Sequence, residues 1–183
     1  MCVSNFTFYA ADMPRTHTAK MSSRILLGID PGTRVAGWGL LEAHGSTLTF
    51  IDCGAFAAPA KWSIDKRLEK IFAAFEQLLL LHQPVAAALE KTFAGVNPRS
   101  AIAMGQGRGV ALLALSRAAV PVLELSPAEI KKAVTGHGAA SKDLVARMVC
   151  ARLNLMEVPQ PADATDALAA AIALAHRSAS LSF

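Results

Sequence analysis

The stretch "ILLGIDPGTRVAGWGLLE", residues 25–42, decides the architecture of this chain. Its opening run, "ILLGI", is apolar and partly β-branched, which predicts a short buried strand, and it ends on an acid, Asp30. "PGTR" follows, and Pro then Gly at the centre of a turn is the signature of type II geometry. "VAGWGLLE" (35–42) and "LTFIDCGAF" (48–56) then read as two more strands, joined by a short His-Gly-Ser turn. Three strands in close succession, joined by tight turns, predict antiparallel neighbours.

Beyond them the period changes. Ile64, Leu68, Ile71, Phe72, Phe75, Leu78 and Leu79 recur at helical spacing, with Lys66, Glu69, Lys70 and Glu76 mostly opposite. This predicts a helix over 64–82, closed by Pro84. "VAAAL" (85–89) reads as a buried strand ending at Glu90, a helix is expected over about 98–118, and "VPVLEL" reads as another strand. "SPAEIKKAV" opens with Ser, Pro and Glu at the N-cap, N1 and N3 positions of a capping box. "SKDLVARMVCARL" begins with a second Ser cap after the glycine-punctuated "TGHGAA", and "PADATDALAAAIALAH" (161–176) supplies the last helix. Strands followed by alternating helix and strand indicate an α/β domain on a mixed sheet. The expected organisation is a disordered extension over 1–23, one domain over 24–178 and a short tail over 179–183.

Composition bounds the function. Of 183 residues 53% are hydrophobic and 17% charged, which is too apolar for a disordered chain. No apolar run reaches the roughly eighteen residues that a membrane helix needs. The first stretch lacks the architecture of a secretion signal, and Cys2, Cys53 and Cys150 have neither pairing nor metal-ligand spacing, so a reduced cytoplasmic protein is expected. A net charge of +4 permits a nucleic-acid partner without demanding one.

The acids carry the chemistry. Asp30 and Glu90 each end a strand, and an acid there is costly unless it has a task. If the two strands are parallel, both acids share the carboxyl edge at which open α/β sheets gather ligands. Asp163 and Asp166, three apart, share one face at the mouth of the last helix. Alone, that pair reads as an N-cap and a first-turn acid favoured by the helix dipole. Joined to Asp30 and Glu90, it reads as half of a four-carboxylate site whose mutual repulsion calls for cations. Mg²⁺ prefers such hard oxygen donors, and two ions suit phosphodiester hydrolysis. "GQGRG" (105–109) lacks the spacing of a phosphate loop, and its glycines suit close helix packing.

Four blocks, "ILLGIDPGTRVAGWGLLE", "ALEKTFAGVNPRSAIAMGQGRGVALLA", "SPAEIKKAVTGHGAASK" and "PQPADATDALAAAIALAH", together resemble the RuvC family of bacterial Holliday-junction resolvases over about residues 24–177. The resemblance implies an RNase H-like fold with a mixed five-stranded sheet, a homodimer, and a Mg²⁺-dependent site (Mn²⁺ a possible substitute) on Asp30, Glu90, Asp163 and Asp166. It implies a role near the scissile phosphate for Lys131 and Lys142, and contact of Phe93 with unstacked junction bases. It places Gly105, Gly107 and Gly109 at the dimer interface. Arg34, Lys91, Arg99, Arg108 and Lys132 are candidate DNA-backbone contacts, and His137 a candidate phosphate contact. The implied substrate is four-way junction DNA, nicked on two opposing strands to leave 5′-phosphate and 3′-hydroxyl ends, with RuvA–RuvB branch migration as partner. The rival readings are a YqgF-type RNase H-like nuclease acting on RNA, a non-catalytic junction-binding protein, and an actin-like phosphotransferase. The last needs a duplicated domain and a second phosphate loop, and the chain has neither.

Overall fold

The computed structural model describes residues 23–91 and 98–178. The 1–23 extension (but for Ser23), the 179–183 tail and Phe93 lie outside these residues. Strands β1 (Arg24–Asp30), β2 (Val35–His44) and β3 (Thr47–Ala57) come first, then α1 (Ile64–His82), β4 (Ala86–Glu90), α2 (Pro98–Arg117) and β5 (Val122–Leu125). Three helices follow: α3 (Pro127–Thr135), α4 (Lys142–Leu153) and α5 (Ala162–Ser178). The five strands form one sheet in the order β3-β2-β1-β4-β5. β1 pairs antiparallel with β2, as β2 does with β3, whereas β4 lies parallel to both β1 and β5. This is the expected RNase H-like, mixed five-stranded sheet.

The pleat of β1 explains the two cores. Leu26 packs on the face covered by α3, α4 and α5, together with Ile130, Val149, Leu168 and Ile172. Leu27 and Ile29 point the other way, into a second core with Phe75 of α1 and Leu115 of α2. Helix α5 is buried from Ala167 through Ala175 because it is sandwiched between the sheet and α3 and α4, which is why that stretch of its sequence is apolar all round.

Local signals place the element ends. Ser126 accepts from the Glu129 amide while the Glu129 carboxylate accepts from the Ser126 amide, and Pro127 opens the helix, so the capping box forms as read. Ser141 caps α4 by accepting from the Leu144 amide. Two local expectations are corrected. The turn after Asp30 is not type II: the left-handed glycines among the described residues are Gly45 and Gly136, and Gly32 is not among them. Asp163 is not an N-cap either, because α5 starts at Ala162 and holds Asp163 inside its first turn.

Candidate functional site

Parallel pairing of β1 with β4 sets Ile29 beside Leu89, so the next residues, Asp30 and Glu90, emerge side by side at one edge of the sheet. Helix α5 brings its first turns to the same edge. A Cβ on Gly37 would lie 2.0 Å from the Asp163 carbonyl oxygen, so only glycine lets α5 come this close; Gly37 is the register partner of Asp30. One cavity of about 290 Å³ is lined by Asp30, Glu90, Asp166, Lys131 and Lys142. Asp163 does not line it, but its charge acts on Asp30 from the margin.

The electrostatics follow from that crowding. Burial first, then the carboxylates of Asp166, Asp163 and Glu90, push the Asp30 pKa from 3.8 to about 7, against the opposing Lys142 ammonium. Burial and then Asp166 also raise Glu90, with Lys142 and Lys131 opposing. Lys142 Nζ donates to Asp166 Oδ2 at 3.0 Å, and this bond chiefly raises the lysine's own pKa. The Lys142 side chain is 80% exposed, so this pair contributes little to stability and is free to exchange partners. Among the described residues no three His, Cys, Asp or Glu side chains already close on a single coordination point. The donor set is nonetheless that of a hard divalent cation: oxygen ligands, part-buried, holding negative charge that the two lysines only partly offset. Such a cluster can hold cations and present them to a phosphodiester.

The remaining candidates are dispersed. Lys91 is exposed and lines a second, smaller cavity with Asp30, Pro31, Glu90 and Met104. Arg34 is exposed in the turn after Asp30, and His137 is exposed in the α3–α4 loop, its amide bonded to Thr135 Oγ1. Arg99 lies at the start of α2. Lys132 lines a different cavity with Glu129, His176 and Arg177, because one helical step turns it away from Lys131.

Arg108 and Gly107 hold positions that their motif did not reveal. A Cβ on Gly107 would lie 2.6 Å from the Gly32 carbonyl carbon, so α2 packs directly on the turn behind Asp30. The Arg108 side chain, 13% exposed, donates from Nη1 to the Glu90 carbonyl at 2.8 Å and pairs from Nη2 with Glu124 at 2.6 Å. Those two partners make it a clamp on the Glu90 end of β4. Gly105 and Gly109 differ from Gly107, since a Cβ on either meets nothing within 4 Å.

Known proteins share this fold. A family profile described as "Crossover junction endodeoxyribonuclease RuvC" matches residues 26–176. The chain is 44% identical over 158 residues to the RuvC of Rubrobacter xylanophilus, covering 85% of this chain and 88% of that one. It is 46% identical over 151 residues to the RuvC of Dechloromonas aromatica, covering 82% and 84%. Among solved structures, T. thermophilus RuvC in complex with Holliday junction substrate superposes with a TM-score of 0.81 at 31% identity, covering 86% of this chain and 96% of that one. With the family profile spanning most of the chain and relatives this similar, the protein belongs to the RuvC family of crossover junction endodeoxyribonucleases.

Proposed function

We propose that this chain is a Holliday-junction resolvase, a divalent-metal-dependent endonuclease that nicks two opposing strands of a four-way DNA junction. The observation that carries the reading is the convergence of Asp30, Glu90 and Asp166 on one cavity, with Asp163 at its margin and Lys131 and Lys142 on its wall. In this reading the four carboxylates hold Mg²⁺, and Mn²⁺ is an alternative occupant. Two such ions, when bound, supply the charge that activates water and stabilises both oxygens of an in-line displacement.

The chain's own groups do the rest. Burial and the neighbouring carboxylates raise the pKa of Asp30 to about 7 and also raise that of Glu90, so a bound cation would favour the charged form of both. Lys142 and Lys131 place ammonium groups where negative charge builds on the phosphoryl oxygens. Lys142, held to Asp166 by one exposed bond, is free to turn from the carboxylate to phosphate. Phe93 and His137 are assigned to junction bases and phosphate respectively, and Arg34, Lys91, Arg99 and Lys132 to the DNA backbone.

A homodimer completes the reading, since two sites about a two-fold axis match a junction of similar symmetry. Its support is a stripe on α2: Ile102 and Leu113 are 62% and 54% exposed, and Gly105 and Gly109 between them leave open space. The spacing of three, four and four residues puts all four on one helix face, which suits close approach by a second α2. RuvA–RuvB as a branch-migration partner belongs to the same reading.

The decisive assay compares cleavage of a synthetic four-way junction, linear duplex and structured RNA, with Mg²⁺ and with chelator. Symmetric nicks in the junction alone, abolished by chelation, are expected. The Asp30→Asn variant keeps junction binding and loses nicking by about 10³-fold or more. Cutting of RNA in preference to the junction overturns the reading in favour of an RNA-directed nuclease.

A further inference from the structure

The sheet edge that carries Asp30 and Glu90 also carries a cationic groove with no part in the chemistry above. β3 runs parallel to β1, because each pairs antiparallel with β2, so the C-terminal end of β3 lies at the same edge as Asp30. Ala57 is there the register partner of Val35, and the Ala58 amide donates to the Arg34 carbonyl at 2.8 Å. The β3–α1 connection is thus tied to the turn that follows Asp30. Just beyond, Lys61, Trp62, Lys66 and Lys70, with one acid, Glu69, line an open groove of about 790 Å³ at the start of α1. Trp62 is 39% exposed, and Lys70 Nζ lies 5.7 Å from its ring centroid. Between residues 61 and 70 four cationic side chains stand against two acidic ones, Asp65 and Glu69, and the N-terminus of α1 adds its positive end.

We propose that this groove is a second DNA-binding site, which holds the sugar-phosphate backbone of the duplex arm leaving the cleavage site. It rests on the junction-nuclease reading and extends its footprint. Lys66 and Lys70 lie four apart on one face of α1 and Lys61 precedes them, so their ammonium groups form a row that can follow a phosphate strand. β3 is two strands from β1, and strands lie about 4.8 Å apart, so the end of β3 that leads into the groove lies about 10 Å across the edge from Asp30. Duplex DNA advances about 3.4 Å per base pair, so the contact falls at least about three base pairs from the cut. An indole face flanked by ammonium groups packs against sugar while the lysines take phosphate. The contact is one of position, so it adds affinity without base preference.

The test measures binding of the full chain to four-way junctions with graded arm lengths across a salt series. The variants are Lys61→Ala/Lys66→Ala/Lys70→Ala together, and Lys66→Glu and Trp62→Ala singly. The triple variant is expected to flatten the slope of log affinity against log salt by about 2–3. Wild type should lose affinity when the arm is cut short of the groove, whereas the triple variant should not respond to that cut. All three lysines are exposed, so folding is expected to survive; if the triple variant melts early, Lys66→Glu alone should still flatten the slope by about 1. A salt slope and arm-length dependence equal to wild type overturn the proposal. A wild-type chain that neither binds nor nicks the junction instead overturns the reading on which it rests.

Discussion

Arg108 ties the Glu90 end of β4 to Glu124 of β5 through one side chain. Its guanidinium reaches a carbonyl and a carboxylate at once, which only a planar fork of donors does well. Because the carbonyl is that of Glu90, the clamp fixes the backbone from which a candidate ligand projects. Arg108→Ala should cost about 1–3 kcal/mol, since one bond is part-buried and Glu124 remains partly solvated. The diagnostic effect is kinetic: kcat should fall further than KM rises, because junction binding survives while Glu90 loses its position. Arg108→Lys should recover most of the stability and little of the rate. Equal loss of both parameters, tracking stability alone, would show that Arg108 serves the fold only. Reading this role from sequence was not feasible, because the partner carbonyl lies eighteen residues away and is identified only by packing.

At the scale of elements, the capping box of α3 links the sequence most directly to a measurable property. Hydrogen bonds from the Ser126 amide and hydroxyl, together with Arg177, hold the Glu129 carboxyl down from 4.5 to about 2. A depressed folded value means stability that is complete above about 4.5 and lost as pH falls toward 2. Ser126→Ala should lower stability by about 1 kcal/mol at neutral pH and remove part of the acid-sensitive component below pH 4.5. Thermal melts of both forms between pH 2 and pH 7 test this, and parallel curves would refute it. The cap was legible because Ser, Pro and Glu act on their own neighbours. α1 was legible from Ile64 to His82 because one face is apolar at a period that only a helix repeats. Gly32 was misread because proline–glycine suggests a left-handed turn, whereas the glycine is needed for space: a Cβ there would lie 1.9 Å from the Val35 carbonyl oxygen. Asp163 shifted from cap to first turn for a similarly local reason, with Pro161 accepting from the Ala164 amide ahead of it.

At the scale of the molecule, the reading turns on two copies. Leu113 is 54% exposed on the open stripe of α2, where a second copy would cover it. Leu113→Glu should leave the monomer fold unchanged, since the side chain makes no part of either core. Sedimentation should shift from dimer to monomer, and junction affinity should drop by about tenfold or more as the second site is lost. Wild type that sediments as a monomer at working concentration would end the dimer reading.

The sequence by itself determined the elements, the edge on which Asp30 and Glu90 would meet if their strands ran parallel, and the four acids worth watching. These depend on periodicity, caps and strand ends, which act over a few residues. Tertiary structure alone decided that β1 and β4 are parallel and adjacent, that Lys131 faces the acids while Lys132 does not, and that Gly107 admits a turn while Gly105 and Gly109 face open space. Those outcomes depend on which surfaces meet, and long-range packing sets that. The three carboxylates lining one cavity illustrate the division: their identities are local, but their shared repulsion exists only once the sheet and α5 bring them together.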